Sequence, residues 1–267
     1  MNFQNNINRC KKYRKKILEL SQQVTALHMA GAFSSTEILD SIYNELMRSD
    51  ENGNLIDTFL MSKGHSAILQ YVILADLKII SNNDLSNYCK PNGILGAHPD
   101  YGNPGIEAST GSLGHGMGLA VGMHQADTIL KKDKKIYMIV SDGELQEGST
   151  WESMMMAANL NCKNIICFLD HNGSQSFGHT KDTHPKFYPI KEKIIAFGWH
   201  TKEIDGHNHK EIINACNTRD SSKPTMIICN TTKGKGVSFM ENQPIWHYRS
   251  PSKEEYDIAI KEIDQGF

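Results

Sequence analysis

The sequence lacks an excess of charge of either sign: 28 Lys and Arg stand against 30 Asp and Glu, for a formal net charge of −2. That balance excludes the basic field with which nucleic acids or anionic membranes are bound. Long apolar runs are missing as well. Stretches such as Ala67 to Leu69 and Ile165 to Leu169 fall far short of the roughly 20 residues that cross a bilayer, so no membrane partner is expected. The six cysteines, Cys10, Cys89, Cys162, Cys167, Cys216 and Cys229, form no CxxC pair and no zinc-like spacing with histidine. They read as buried, reduced thiols of a cytoplasmic protein. The basic cluster Lys11, Lys12, Arg14, Lys15 and Lys16 precedes neither an apolar stretch nor a cleavage site, so no secretory leader is read. Tyr13 is the one aromatic residue among those lysines, which argues against nucleic-acid binding there. No repeat, low-complexity tract or Pro/Gly/Ser-rich linker divides the chain. Residues 1–267 are expected to form a single domain, long enough to bury a core without staples.

Apolar periodicity supplies the architecture. Lys11 to Leu27 places Ile17, Leu18, Val24 and Leu27 near helical spacing, with the basic cluster on the solvated side. Ser34 followed by Glu37, and Ser149 followed by Glu152, have the spacing of capping boxes and predict helix starts. Ile136 to Val140, Asn164 to Leu169, Trp199 to Ile204 and Thr225 to Cys229 read as strands, with a helix from Asn208 to Cys216. Alternation of this kind predicts an α/β fold with a mostly parallel sheet and helices on both faces. Ligands in such sheets bind at the carboxyl ends of the strands.

Two strand ends carry chemistry. Asp142 follows the first of these strands and Asn172 the second, 30 residues on, about one βαβ unit. Adjacent parallel strands would bring a carboxylate and an amide oxygen to one edge, hard donors that suit Mg2+ or Ca2+ completed by phosphate oxygens. Each residue is also followed by glycine, and a plain turn at Asp142-Gly143 or Asn172-Gly173 is the competing reading.

The stretch SDGELQEGSTWESMMMAANLNCKNIICFLDHNGSQ, Ser141 to Gln175, resembles the thiamine diphosphate fingerprint of transketolases. Further segments resemble that family in the same order. They are His28 to Leu39, Phe59 to His65, Gly96 to Pro99, Pro104 to Gly114, Thr232 to Asn242, and Trp246-His247. The resemblance runs from about His28 to His247 and implies a thiamine diphosphate-binding fold. Specifically, it implies the amino-terminal, diphosphate-binding half of a transketolase, with the pyrimidine-binding and carboxyl-terminal domains expected on a partner chain.

By resemblance, Asp142, Asn172 and the carbonyl of Ser174 would ligate the metal. Gly111, Leu113, Gly114 and Gly143 would meet the cofactor through backbone, Gly143 allowing the close approach a side chain would block. His28, His65, His98 and His247 match the four histidines of the cofactor and donor-sugar channel, where groups near neutral pKa move protons. His65, His247, Asp142, Asn172 and Glu147 are counted with the cofactor contacts too. Glu147 and Glu152 match acids at the subunit interface, and His207 resembles a further family position. The implied reaction moves a two-carbon ketol unit from a ketose phosphate to an aldose, in an α2β2 assembly with the partner. Ser141, Ala30, Ala32, His115, Ser174 and Ser176 depart from the family pattern, the last two by replacing apolar residues. Two other readings remain open: a synthase or decarboxylase subunit using the same cofactor, and a non-catalytic regulatory paralogue.

Overall fold

The computed structural model describes residues 3–24, 27–176 and 178–266. The chain runs α1 (Gln4–Ser21), α2 (Met29–Ser34), α3 (Thr36–Ser41), β1 (Thr58–Met61), α4 (Ala67–Asp76) and α5 (Asn82–Ser86). It continues with α6 (Gly116–Ile129), β2 (Ile136–Ser141), α7 (Gly148–Asn159), β3 (Ile165–His171), β4 (Ser174–Gln175) and β5 (Gly178–His179). Last come α8 (Thr180–Thr183), α9 (Ile190–Ala196), β6 (His200–Asp205), α10 (His209–Asn217), β7 (Thr225–Asn230) and α11 (Lys253–Gln265).

Strands β1-β2-β3-β7-β6 form one sheet in that order, with every pairing parallel. The short β4 and β5 pair antiparallel beside it. Side chains alternate across a strand, so the near-continuous apolar runs of β2, β3 and β7 feed two cores. Tyr137, Ile139, Ile166, Phe168, Ile227 and Cys229 pack with residues of α1 to α4, α10 and α11. Ile136, Met138, Val140, Cys167, Leu169, Met226 and Ile228 face the other way, onto Met117 and Ala120 of α6, Met154 and Ala157 of α7, and Ile194 of α9. The expected α/β sheet with helices on both faces is therefore what forms. Among the described residues no helix is long and apolar enough to cross a membrane, and Cys89 is exposed while the other five thiols are buried and free.

Three local expectations are corrected. The first helix spans Gln4–Ser21 rather than Lys11 to Leu27, and its Arg14 is buried, not solvated. The guanidinium makes two bonds to the Glu37 carboxylate, at 2.6 and 2.8 Å, and a third to Phe33 O. Ser34 caps no helix, because its hydroxyl donates to Asp170 Oδ2 at 2.7 Å and Glu37 is taken by Arg14. α7 starts at Gly148 with Glu147 at the cap, so Ser149 and Glu152 form no capping box. Short-range capping lost in each case to a longer-range partner or to the turn before the helix.

Register then places the site. Ser141 lies beside Asp170 across β2 and β3, so Asp142 and His171-Asn172 leave the sheet at the same carboxyl edge. α2 and the segment after β1 bring His28 and His65 to that edge, and the turn Pro244–Tyr248 brings His247.

Candidate active site

Asp142 is wholly buried. Its Oδ1 lies 2.5 Å from His171 Nδ1 and its Oδ2 accepts the Gly173 N–H at 2.6 Å. Burial pushes the Asp142 carboxyl up. Burial also works against a charged His171, but the hydrogen bond and charge of Asp142 outweigh it and raise the imidazole. Asn172 donates to Asp170 Oδ2 at 3.0 Å and its Oδ1 accepts the Ser174 N–H at 3.1 Å. The strand-end carboxylate and amide thus meet around Gly173, whose φ of +67° turns the chain there. The turn reading and the ligand reading are compatible in this geometry.

A cleft of about 200 Å³ opens at this edge, and Gly143, Asn172, Ser174, Leu113 and Glu147 line one side of it. His28, His65, His247, Lys63 and Lys233 line the rest. The ring centroid of His28 is 5.2 Å from those of both His65 and His247, which are 6.0 Å apart. Burial, followed by neighbouring positive charge, lowers His28 and His247 to about 4 and His65 well below its ordinary value. At these three positions the cleft thus favours the neutral imidazole. His98 is not among the residues lining the cleft, yet its charge helps to lower His28. Its ring packs on Gly111, where an added Cβ would lie 2.8 Å from His98 Cδ2, and its carbonyl accepts the Tyr71 hydroxyl at 2.8 Å.

The other glycines differ in what they answer to. Gly114 has φ +85°, and a Cβ there would lie 2.4 Å from Ser149 Oγ and 2.7 Å from Glu147 Cβ. Gly143 has φ −62°, and a Cβ there would meet only Gln175 Cβ, at 3.9 Å. Nothing in the chain itself requires glycine at 143, so the open space beside it is available to a ligand. Glu147 is exposed at the rim and Glu152 is exposed on α7.

Several cleft residues carried no role in the sequence reading. Lys63 and Asp170 are buried, at 1% and 0% exposure, and paired at 2.5 Å. Lys63 also donates to Gly31 O and Ser35 Oγ. Lys233, 4% exposed, places Nζ 2.9 Å from His247 Nδ1, and burial lowers its ammonium to about 8. Glu144 accepts from Ser62 Oγ and from Gly114 N–H, and burial raises it to about 7. Ser176 Oγ, one of the departures from the family pattern, lies 3.5 Å from His247 Nε2. Lys63 and Lys233 stand inside motif segments, and Asp170 closes an apolar strand. An ionised group at a buried strand end demands a partner, and that was the available signal.

This donor set fits a dication and a diphosphate. Asp142, Asn172 and Ser174 offer hard oxygens, and Lys233 offers a partly desolvated ammonium. The Nε2 of Gln146 is buried without a partner beside the same cleft. A parallel α/β sheet carrying such a cleft at its carboxyl edge defines the class: a cofactor-binding domain of an enzyme.

The family described as transketolase, thiamine diphosphate binding domain, matches residues 10–266. The chain belongs to the transketolase family. It is 34% identical over 259 residues to one of the subunits of the apulose-4-phosphate transketolase of Phocaeicola vulgatus, covering 95% of this chain and 92% of that one. A 6-deoxy-6-sulfo-D-fructose transketolase subunit of a Clostridium species is 36% identical over 258 residues, with 94% of each chain covered. Human transketolase is 32% identical over 245 residues, which span 88% of this chain and 38% of the human one. The solved transketolase of Campylobacter jejuni superposes with a TM-score of 0.90 at 27% identity, over 99% of this chain and 43% of that chain.

Proposed function

We propose that this chain is the amino-terminal subunit of a split transketolase. In this reading it binds thiamine diphosphate and Mg2+, for which Ca2+ could substitute, and transfers a two-carbon ketol unit from a ketose phosphate to an aldose acceptor. The observation that carries the reading is the meeting of Asn172 and Ser174 with His28, His65, His247 and Lys233 at one cleft, with Asp142 buried behind its wall and bonded to the Gly173 N–H.

Asp142, Asn172 and the Ser174 carbonyl would hold the cation. Gly111, Leu113, Gly114 and Gly143 would give backbone access, and Lys233 would offset diphosphate charge. When bound, thiamine diphosphate supplies the electron sink for the transferred unit. A neutral imidazole has one N–H to donate and one lone pair to accept with. His28, His65 and His247 are thereby equipped to hold the hydroxyl and carbonyl oxygens of the sugar and to exchange protons with them, His98 doing so from beside Gly111. Lys63 holds α2, and so His28, against β3 through Gly31, Ser35 and Asp170.

Residues 1–267 would act as one domain, in the cytoplasm, and the pyrimidine-binding and carboxyl-terminal domains would come from a partner chain in an α2β2 complex. Two observations support a partner. Relatives covered almost end to end are named as subunits, and the neighbouring helices α6 and α7 carry exposed apolar side chains. On α6 and just after it Leu119, Ile129 and Leu130 are 39%, 79% and 60% exposed, and on α7 Met155 and Met156 are 47% and 50% exposed. A groove of about 760 Å³ runs along this face from Thr110 and Ser112 past Gly118 and Gly122. Exposed apolar side chains beside such a groove support a docking face.

The test is to purify the tagged chain from its own cells, identify what comes with it, and assay thiamine diphosphate-dependent ketol transfer. Co-purification of a chain with a pyrimidine-binding domain, together with activity, is the expected result. Asp142→Ala should abolish Mg2+-dependent cofactor binding by that complex with the circular dichroism unchanged. Retained affinity would refute the ligand assignment.

A further inference from the structure

Cys10, Asp40 and His209 come from α1, α3 and the first residue of α10, and 199 positions separate the cysteine from the histidine, so no spacing pattern links them. The fold buries all three, at 2%, 0% and 5% exposure, and brings their ligand atoms within 4.8 Å of one another. Cys10 Sγ lies 3.6 Å from His209 Nε2, and that same nitrogen lies 3.2 Å from Asp40 Oδ2. One nitrogen therefore faces a sulfur and a carboxylate oxygen together. A single N–H aimed at Asp40 leaves the sulfur without a donor, and a thiol proton can bond to Nε2 only when that nitrogen carries none. A cation between the three satisfies all of them. With bonds of about 2.3 Å to sulfur and about 2.0–2.1 Å to nitrogen and oxygen, a tetrahedral ion sets S···N near ~3.5 Å and N···O near ~3.3 Å. Those edges match the two distances found.

We propose that Cys10, Asp40 and His209 form a structural site for Zn2+ or another borderline divalent cation, tying α1 to α3 and α10 outside the lining of the cofactor cleft. The thiolate and imidazole select against Mg2+, which the oxygen-only set at Asp142 suits. On binding, the Cys10 thiol gives its proton to solvent, His209 coordinates through Nε2 with its proton on Nδ1, and Asp40 coordinates as the carboxylate. Thiolate and carboxylate then cancel the double charge. Asp40 is already oriented from outside: Asn6 and Arg9 donate to Oδ2 at 3.0 and 3.1 Å, and Arg9 and Asn44 donate to Oδ1 at 2.6 and 3.1 Å. Arg9 keeps Glu45 as a counter-ion at 2.9 Å. Hydrogen-bonded outer partners of this sort fix metal-ligating groups. Phe3 stacks on the His209 ring, with centroids 6.1 Å apart. The fourth position faces a cavity of about 190 Å³ lined by Cys10 and His209, ample for a water. His207 lines the same cavity but is not a ligand, because Glu37 and the Thr232 N–H engage both of its nitrogens.

The test uses the full chain carrying Cys89→Ser, which removes the exposed thiol, with excess Mg2+ to fill oxygen-only sites and Co2+ as the probe. About one Co2+ per chain is expected, with a thiolate-to-cobalt charge-transfer band, tetrahedral visible absorption and displacement by Zn2+. Cys10→Ser and His209→Gln on that background should weaken binding by about 100-fold, and Cys10→Ser should lose the charge-transfer band. A band that survives Cys10→Ser, or negligible uptake by the parent chain, overturns the site. Should either variant fail to fold, zinc content of the parent chain before and after EDTA dialysis and Zn2+ return decides the matter without a substitution. No cofactor or turnover enters the test, so its outcome is separate from that of the transketolase reading.

Discussion

Asp170→Asn probes the buried ion pair behind the cleft. The Lys63 ammonium bonds to Asp170 Oδ2, Gly31 O and Ser35 Oγ, and the two charged side chains are 1% and 0% exposed. Asparagine keeps the shape of the carboxylate and removes its charge, which leaves a buried ammonium with neutral acceptors alone. Removing one partner of such a pair costs about 3–5 kcal/mol, a large share of the roughly 5–15 kcal/mol that holds a domain folded. With a urea slope of about 2–3 kcal/mol per molar, the unfolding midpoint should fall by about 1–2 M, read by circular dichroism. Lys63→Met should cost less. The carboxylate it strands still accepts from Ser34, Asn172 and Thr231, and hydrogen bonds to a charged group are worth about 1.5–3 kcal/mol each. A loss under about 1 kcal/mol for Asp170→Asn, or a larger loss for Lys63→Met, would refute the assignment of Asp170 as the counter-ion of Lys63.

Glycine substitutions separate ligand space from backbone need: Gly143→Ala should leave stability within about 0.5 kcal/mol while weakening cofactor binding by the complex, whereas Gly114→Ala should cost about 1–3 kcal/mol. Urea midpoints together with cofactor titration check both halves. The Glu37 carboxyl, buried but held well below the usual range by Arg14 and then His207, contributes stability that is complete above the unfolded carboxyl value near ~4.3 and lost as pH falls through the folded value. Glu37→Gln should therefore unfold less steeply than the parent below about pH 4 in an acid titration. Burial and then the Lys63 charge lower Lys233 to about 8, while an unfolded lysine keeps its proton to about 10.4. The unfolded chain binds more protons between those values, so stability of the cofactor-free chain should rise with pH across that window, and Lys233→Met should flatten the rise.

The parts of this molecule that could be read from its sequence are those governed by local pattern. β2, β3 and β7 are buried on both faces, and their runs of Ile, Val, Leu, Cys and Met leave little ambiguity. β1, with only Thr58–Met61, is too short to show a period and surfaced only as part of a motif segment. Asp142 and Asn172 were visible because position after a strand is a sequence property. Lys63 and Lys233 were not, since a lysine in a string of letters gives no sign of burial; that follows from what the sheet edge and α2 place around it. The capping boxes at Ser34 and Ser149 failed for the same reason, the first because Asp170, 136 residues away, competes for the hydroxyl. Cys10 and His209 carry no spacing signal at all, and only the packing of both α1 and α10 on α3 makes them neighbours.

The electrostatics of the cleft tie these residues into one device. Burial shifts five ionisable groups in or behind the cleft toward their neutral forms: Asp142 up, and His28, His65, His247 and Lys233 down. Charge of the right sign at the right place reverses each shift. A dication beside Asp142 favours its carboxylate, and an anion beside Lys233 favours its ammonium and relieves the positive field that depresses His247 and His65. A cation alone would restore the first and worsen the rest; an anion alone would do the opposite. Those directions support the proposed binding of a cation and an anion together, the charge pattern a metal diphosphate would bring.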